Sequence, residues 1–221
     1  MEQQVKRRAL LLLNGDLPTQ EEVREESRGY DLLVSADGAS DILWQAGVIP
    51  DLIIGDLDSI SEEVRSFFEG EKVRFLKFPP EKDKTDGHLA VETLIEEGME
   101  EIFIYGGLGG RWDQSLGNLG LFSSALECDI DLVFVSSDNT MTCKKPGRYI
   151  FPYREGWYFS ILAYGDRVEG IDLKGAKYEL RQAVIKKGET VGISNEYRGD
   201  IDLSFDKGEL LIIESRFDRR G

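Results

Sequence analysis

Pro50-Asp51-Leu52-Ile53-Ile54-Gly55-Asp56-Leu57-Asp58-Ser59 reads as a short apolar strand, Leu52 to Ile54, halted by Gly55 and followed by an Asp-x-Asp pair. Asp56 and Asp58 therefore leave a sheet at its rim, where α/β proteins keep their ligands. A second acidic stretch, Asp83-Lys84-Thr85-Asp86, brings the aspartates of the two segments, counted with Asp51, Asp56 and Asp58, to five. Carboxylate oxygens crowded together repel one another unless a hard cation such as Mg²⁺ sits among them. Taken alone, Asp-x-Asp fits equally well as solvated loop or as the cap of a following helix. Its recurrence beside other strand ends favours a site.

Outward from that strand, short apolar runs alternate with amphipathic segments up to about Ser137, the pattern of strand–helix units around a mainly parallel sheet. Strands are expected at Ala9 to Leu13, Asp31 to Ser35, Asp51 to Ile54, Lys72 to Phe78, Glu101 to Tyr105 and Asp131 to Ser136. Helices are expected over Asp41 to Ala46 and Asp86 to Glu97, each followed by a glycine, Gly47 or Gly98. Beyond about Asp138 the texture becomes β-rich, with runs at Trp157 to Tyr164 and Thr190 to Ile193. There, Asp206-Lys207-Gly208 between Ile201 to Phe205 and Glu209 to Ile213 predicts a hairpin. The expected organisation is an α/β domain over residues 1–138 and an all-β domain over 139–221.

Placed on this strand map, Asp37 follows one strand, Asp56 and Asp58 the next, and Asp83 and Asp86 the one after. The loop Gly106-Gly107-Leu108-Gly109-Gly110-Arg111-Trp112-Asp113 follows Ile102 to Tyr105. Glycines let backbone N–H groups approach phosphate oxygens, and a helix expected over Ser115 to Leu126 would present its positive end to an anion. Arg111 adds a planar donor fork. The loop matches neither the dinucleotide fingerprint, because Trp112 stands in place of the third glycine, nor a Walker A, because Gly-Lys-Ser/Thr is absent. An ordinary glycine-rich turn accounts for it as well. Together with the aspartates it points to chemistry on a Mg²⁺-bound polyphosphate, with a remaining aspartate free to take a proton from an attacking hydroxyl.

A formal net charge of −15 over 221 residues argues against nucleic acid and anionic membranes as partners, since binding a polyanion takes clustered Lys and Arg. The two cysteines, Cys128 and Cys143, have no metal-ligand spacing and build no disulfide framework, so a reducing cytoplasm is expected. The apolar run Ala9 to Leu13 is too short for a signal-peptide core.

The chain resembles the thiamine pyrophosphokinases. Their motifs have counterparts, in order and along nearly the whole chain, in Ala36-Asp37-Gly38-Ala39, Pro50 to Ser59, Lys82-Asp83-Lys84-Thr85-Asp86, Gly109-Gly110-Arg111-Trp112-Asp113-Gln114 and Ser194-Asn195. The resemblance implies transfer of pyrophosphate from ATP to the hydroxyl of thiamine, releasing AMP. It also implies a C-terminal β-sandwich and a homodimer with thiamine bound between subunits. By position, Asp56, Asp58 and Asp86 would hold Mg²⁺, Lys82, Gly106, Gly107 and Arg111 would hold ATP, and Arg111, Asp113 and Asp58 would serve the chemistry. Asp37, Tyr178, Ser194 and Asn195 would face thiamine. A tyrosine can stack on a cationic thiazolium, although a tyrosine in a strand is ordinarily core.

Three positions depart from the family pattern. Gln114 stands for a histidine and cannot transfer a proton, His88 stands where an acidic residue is usual, and Ala39 replaces a glycine. His88, the only histidine, is expected in the first turn of a helix, where the dipole disfavours its cation. Two other readings use the same residues: hydrolysis of a nucleotide or transfer to a different alcohol, and a non-catalytic binder of ATP or thiamine. The intact carboxylate set argues against the second.

Overall fold

The run Arg8–Leu12 forms strand β1, in which Ala9, Leu10, Leu11 and Leu12 are all buried. A strand that is apolar on both faces belongs inside a parallel sheet covered on both sides by helices. In the computed structural model, which describes residues 6–79 and 83–217, β1 has that place. By internal contacts the chain divides into two compact units, residues 1–137 and 138–221. The architecture combines parallel strands and helices in the first with antiparallel strands in the second.

In the first unit β1 is followed by α1 (Gln20–Glu26), β2 (Leu32–Ala36), α2 (Ser40–Ala46), β3 (Leu52–Gly55), α3 (Glu62–Gly70) and β4 (Arg74–Lys77). Then come α4 (Asp86–Glu96), β5 (Glu101–Tyr105), α5 (Trp112–Leu119), α6 (Leu121–Glu127) and β6 (Asp131–Val135). The strands pair in parallel in the order β4-β3-β2-β1-β5-β6. The chain thus winds outward from β1 in one direction and then, from β5, in the other. The junction of β1 and β5 is therefore the topological switch point, and α/β sheets bind their ligands at the carboxyl ends of the strands around it. Local signals start the helices. Thr19 and Glu22 make a reciprocal capping box for α1, Ser61 caps α3 and Thr85 caps α4.

The second unit contains β7 (Asn139–Lys144), β8 (Gly147–Phe151), β9 (Trp157–Ala163), β10 (Arg167–Ala176), β11 (Leu180–Lys186), β12 (Asn195–Phe205) and β13 (Leu210–Arg216). Neighbouring strands run antiparallel in the order β11-β10-β12-β9-β13-β7. At its start, Asn195 and Glu196, β12 pairs with β9, and farther on, over Ile201 to Phe205, with β8. Alternate side chains of β12, Ile201, Leu203 and Phe205, enter a core with Phe159, Ile161, Ile171, Ile185 and Leu210.

Several expectations are corrected. Asp206-Lys207-Gly208 does not close a hairpin, because β13 pairs with β9 and β7, and β9 separates it from β12. Thr190 to Ile193 is not a strand but a turn, closed by Ile193 N donating to Thr190 O (3.1 Å). The expected helix from Ser115 to Leu126 is two helices. Gly117 and Gly120 weaken it, and the ladder tightens at the joint, where Gly120 N donates to Gly117 O (2.9 Å) and Ser123 N to Gly120 O (3.0 Å). No helix of the described residues is long and apolar enough to cross a membrane.

Candidate active site

At the carboxyl ends of β1, β2, β3 and β5 lies a cleft of about 510 Å³, lined by Asn14, Asp16, Asp37, Asp56, Asp58, Ser59, Asp86, Arg111, Gln114, Asn118 and the glycine loop. Its volume suits a small ligand. On one wall, one carboxylate oxygen from each of Asp37, Asp56 and Asp58 lies within 4.8 Å of the others. Backbone geometry creates this cluster. Leu57 adopts a left-handed conformation (φ 67°) that folds the chain between Asp56 and Asp58, and Asp58 N donates to Asp56 Oδ1 at 3.1 Å. Asp37 is itself left-handed (φ 47°), and such strain in non-glycine residues concentrates at functional sites. Gly55 makes the approach possible, since a Cβ there would lie 3.0 Å from the Asp37 Cβ.

The electrostatics of the trio are those of a site waiting for positive charge. Asp37 Oδ1 is buried and has no hydrogen-bond partner among the described residues. Burial raises the Asp37 pKa, and the charges of Asp56 and Asp58 raise it further, against an opposing hydrogen bond from Ser59. Three hard oxygen donors with one unsatisfied buried oxygen fit a divalent cation such as Mg²⁺.

The opposite wall is the loop after β5, and it is laced in place. Leu13 N donates to Tyr105 O (2.8 Å), Gly15 N to Gly106 O (2.8 Å) and Asp16 N to Leu108 O (3.0 Å), so the β1–β5 ladder continues past the strand ends. Gly106 (φ 67°) is obligatory, because a Cβ would sit 2.0 Å from Leu13 O. Helix α5 holds the loop from the other side. Ser115 Oγ accepts from Gly109 N (3.1 Å), and the buried Asn118 donates through Nδ2 to Gly107 O (2.7 Å). The loop is therefore pre-organised rather than a loose turn.

Arg111 stands at the N-cap of α5, its guanidinium paired with Asp113 through Nε to Oδ1 (3.2 Å) and Nη2 to Oδ2 (2.6 Å). The fork holds the Asp113 carboxyl below the usual range. The side chains are 71 % and 68 % exposed, and solvent and salt screen an exposed pair of this kind so that it contributes little. Exchanging the Asp113 carboxylate for a phosphate is therefore cheap.

Of the residues singled out by sequence, the cleft brings together Asp37, Asp56, Asp58, Asp86, Gly106, Gly107 and Arg111. Asp86, the first residue of α4, is on the wall but outside the three-carboxylate cluster, whose third member is Asp37. Asp113 is not on the wall, and Lys82 lies outside the described residues. Asp51 belongs to neither group. At the other end of β3, its Oδ2 accepts from Leu33 N (2.8 Å), a purely architectural role. His88 lies in the first turn of α4, its Nδ1 2.8 Å from Thr85 Oγ1, and burial lowers its pKa, so the imidazole is neutral. Sequence reading missed Asn14, Asp16 and Asn118. The first two follow an expected strand as the other site residues do, and Asn118 shares the inner face of α5 with Gln114 and Ser115 at helical spacing.

In the second unit, Tyr178 is not core. It occupies the turn between β10 and β11 with 62 % of its surface exposed. Asn195 is buried, and Ser194 beside it is left-handed (φ 55°), with its N–H donating to Ser160 Oγ at 3.0 Å.

Comparison with known proteins extends this picture. The model for "thiamin pyrophosphokinase, catalytic domain" matches residues 23–134, and that for "thiamin pyrophosphokinase, vitamin B1 binding domain" matches 143–210. Thiamine pyrophosphokinase of Bacillus subtilis (strain 168) is 33 % identical over 190 residues, covering 84 % of this chain and 88 % of that protein. The crystal structure of thiamine pyrophosphokinase from Bacillus subtilis superposes with a TM-score of 0.87 at 29 % identity, covering 96 % of this chain and 100 % of the other. That of the Geobacillus thermodenitrificans enzyme gives 0.84 at 29 % identity, covering 96 % and 99 %. With both family models matched in order along one chain, and a relative similar over most of its length, this chain belongs to the thiamin pyrophosphokinase family.

Proposed function

We propose that the chain transfers the pyrophosphoryl group of ATP to the hydroxyl of thiamine, giving thiamine diphosphate and AMP, with Mg²⁺ held by the carboxylates of the cleft. Family membership makes it an enzyme, a thiamine diphosphokinase. The observation that carries the metal reading is the buried, unpartnered oxygen of Asp37 beside Asp56 and Asp58. Asp56 and Asp58 supply metal ligands, with Asp37 as the third carboxylate of the trio and Asp86, at the start of α4, a further ligand. When bound, Mg²⁺ neutralises phosphate charge and aligns the phosphate oxygens.

The chain's own groups supply the rest. Amides of the Gly106–Gly107 loop and the Arg111 fork, with Lys82, hold the phosphates and stabilise charge as it develops. The thiamine hydroxyl oxygen forms a bond to the β-phosphorus, the bond from that phosphorus to the bridging oxygen of AMP breaks, and the hydroxyl proton passes to a carboxylate of the site. Asp58 and Asp113 are the residues assigned to this chemistry, Asp113 by releasing and orienting Arg111. Gln114 contributes hydrogen bonds, not a proton.

Residues 1–138 form the ATP- and Mg²⁺-binding part, and 139–221 a sandwich-like β domain that binds thiamine through Tyr178, Ser194 and Asn195, with Asp37 also facing the substrate. The two regions of β12 pairing around one core support a sandwich. We place the enzyme in the cytoplasm, consistent with two free cysteines, and as a homodimer with shared active sites. Mixing inactive Asp58→Asn chains with Asn195→Ala chains, assayed at thiamine too low for the Asn195→Ala enzyme to turn over well, restores activity under conditions of subunit exchange if sites are shared, and adds none if each chain is self-sufficient. For the reaction itself, incubation with ATP, Mg²⁺ and thiamine yields AMP and thiamine diphosphate in equal amounts. ADP with thiamine monophosphate, or nucleotide cleavage without any thiamine ester, overturns the assignment.

A further inference from the structure

The Asn195 side chain grips the main chain of Tyr178 through both its oxygen and its nitrogen. Asn195 Oδ1 accepts from Tyr178 N at 2.9 Å, and Asn195 Nδ2 donates to Tyr178 O at 2.8 Å. An amide paired with both the N–H and the C=O of one residue reproduces the hydrogen bonding of a neighbouring antiparallel strand. Oδ1 also accepts from Glu196 N at 3.0 Å, and the side chain is only 4 % exposed. Glu196 extends the clamp by one residue, its carbonyl accepting from Lys177 N (2.8 Å) and its carboxylate from Lys177 Nζ (2.6 Å). Beyond the clamp stands the exposed Tyr178 ring, with Lys177 Nζ 5.5 Å from its centroid.

From this arrangement we infer that Asn195 is a positioning residue: it acts on thiamine through Tyr178, by fixing the 177–179 turn so that the ring is presented for stacking, and not by contact with the substrate. The inference rests on the reading of Tyr178 as the thiamine-facing aromatic. Its logic is steric and entropic. A turn joining β10 to β11 would otherwise sample several ring orientations, and stacking on a cationic heterocycle rewards only those with the face exposed. A buried amide with its acceptor doubly used, and one donor used, is poorly placed to meet a ligand as well.

The test is a double-mutant cycle on the Michaelis constant for thiamine. Tyr178→Ala removes the ring and keeps the main chain that Asn195 grips, and Asn195→Asp keeps the shape and acceptor but loses the donor to Tyr178 O. Each single variant raises the KM for thiamine about 10-fold, the scale of a lost cation–π contact, with the KM for ATP within about twofold of wild type. The decisive arm is Asn195→Asp in the Tyr178→Ala background, where it has no further effect. An undiminished rise there means that Asn195 touches the substrate itself, and the inference fails. A normal KM in Tyr178→Ala instead removes the reading of Tyr178, and a normal KM in Asn195→Asp alone overturns the positioning role. Should Asn195→Asp not fold, hydrogen exchange at the Tyr178 amide of the wild-type enzyme decides. Protection before thiamine is added supports a preformed clamp, and free exchange contradicts it.

Discussion

The carboxylate cleft of the first unit and the Tyr178 turn of the second treat polar groups in opposite ways. In the cleft a buried oxygen of Asp37 has no partner among the described residues and two further carboxylates crowd it, so repulsion is stored until a cation arrives. Around Tyr178 the polar groups are paired, the buried Asn195 with the tyrosine main chain and the solvent-facing Glu196 with Lys177. A region that must bind charge is left unsatisfied, whereas a region that must hold a posture is satisfied internally. The difference follows from location. Strand ends around a switch point bring several loops to one space, while a turn between antiparallel strands can borrow hydrogen bonds from the adjacent strand.

The largest effect that breaks or sharpens this contrast is expected at Asp56 and Asp58. Replacing either with Asn removes charge without changing shape, so turnover falls by about 10³-fold or more while the melting temperature holds or rises. Near-normal turnover at ordinary Mg²⁺ concentrations would mean that the trio is not a metal site. Next in size is Arg111→Lys, which keeps the charge but loses the planar fork and lowers kcat by about 10²-fold. A change confined to thermal stability would restrict Arg111 to its pairing with Asp113.

A smaller effect isolates the stored repulsion. The Asp37 pKa is raised in the folded state, so its ionised form opposes folding at neutral pH, and the penalty disappears in acid as the native side chain takes up a proton. Asp37→Asn without ligands should therefore raise the melting temperature near pH 7, by a few degrees at most. The gain should shrink as pH falls through the raised pKa towards the ordinary carboxylate range. A gain that grows in acid, or a loss at neutral pH, would show that the aspartate is stabilised by its surroundings instead.

Legibility from sequence followed how local each determinant is. The parallel strands and the helix stops at Gly47 and Gly98 were readable because apolar runs and glycines act within a few residues. Asp37, Asp56, Asp58 and the Gly106–Gly107 loop were readable because each directly follows a strand. Pairing across the chain was not. Asp206-Lys207-Gly208 carries a hairpin signal, yet β9, some 40 residues earlier in sequence, lies between the two strands it joins. Asp51 resembled its neighbours in the acidic stretch but sits at the opposite end of β3, a distinction made by strand direction alone. The membership of Asp37 in the trio depends on two left-handed residues, Asp37 and Leu57, and although aspartate tolerates that conformation, nothing in a leucine announces it. The Asn195 clamp is equally invisible, since its partner lies 17 residues away.

The central claim, that the trio is built to take a divalent cation for pyrophosphoryl transfer, is tested most directly by the Mg²⁺ dependence of thiamine diphosphate formation in wild type and Asp56→Asn at fixed ATP and thiamine. The account predicts that chelation stops wild-type turnover, that Mg²⁺ restores it, and that Asp56→Asn needs far more Mg²⁺ or never recovers. Turnover that survives chelation, or an Asp56→Asn variant whose Mg²⁺ titration overlays that of wild type, would contradict it.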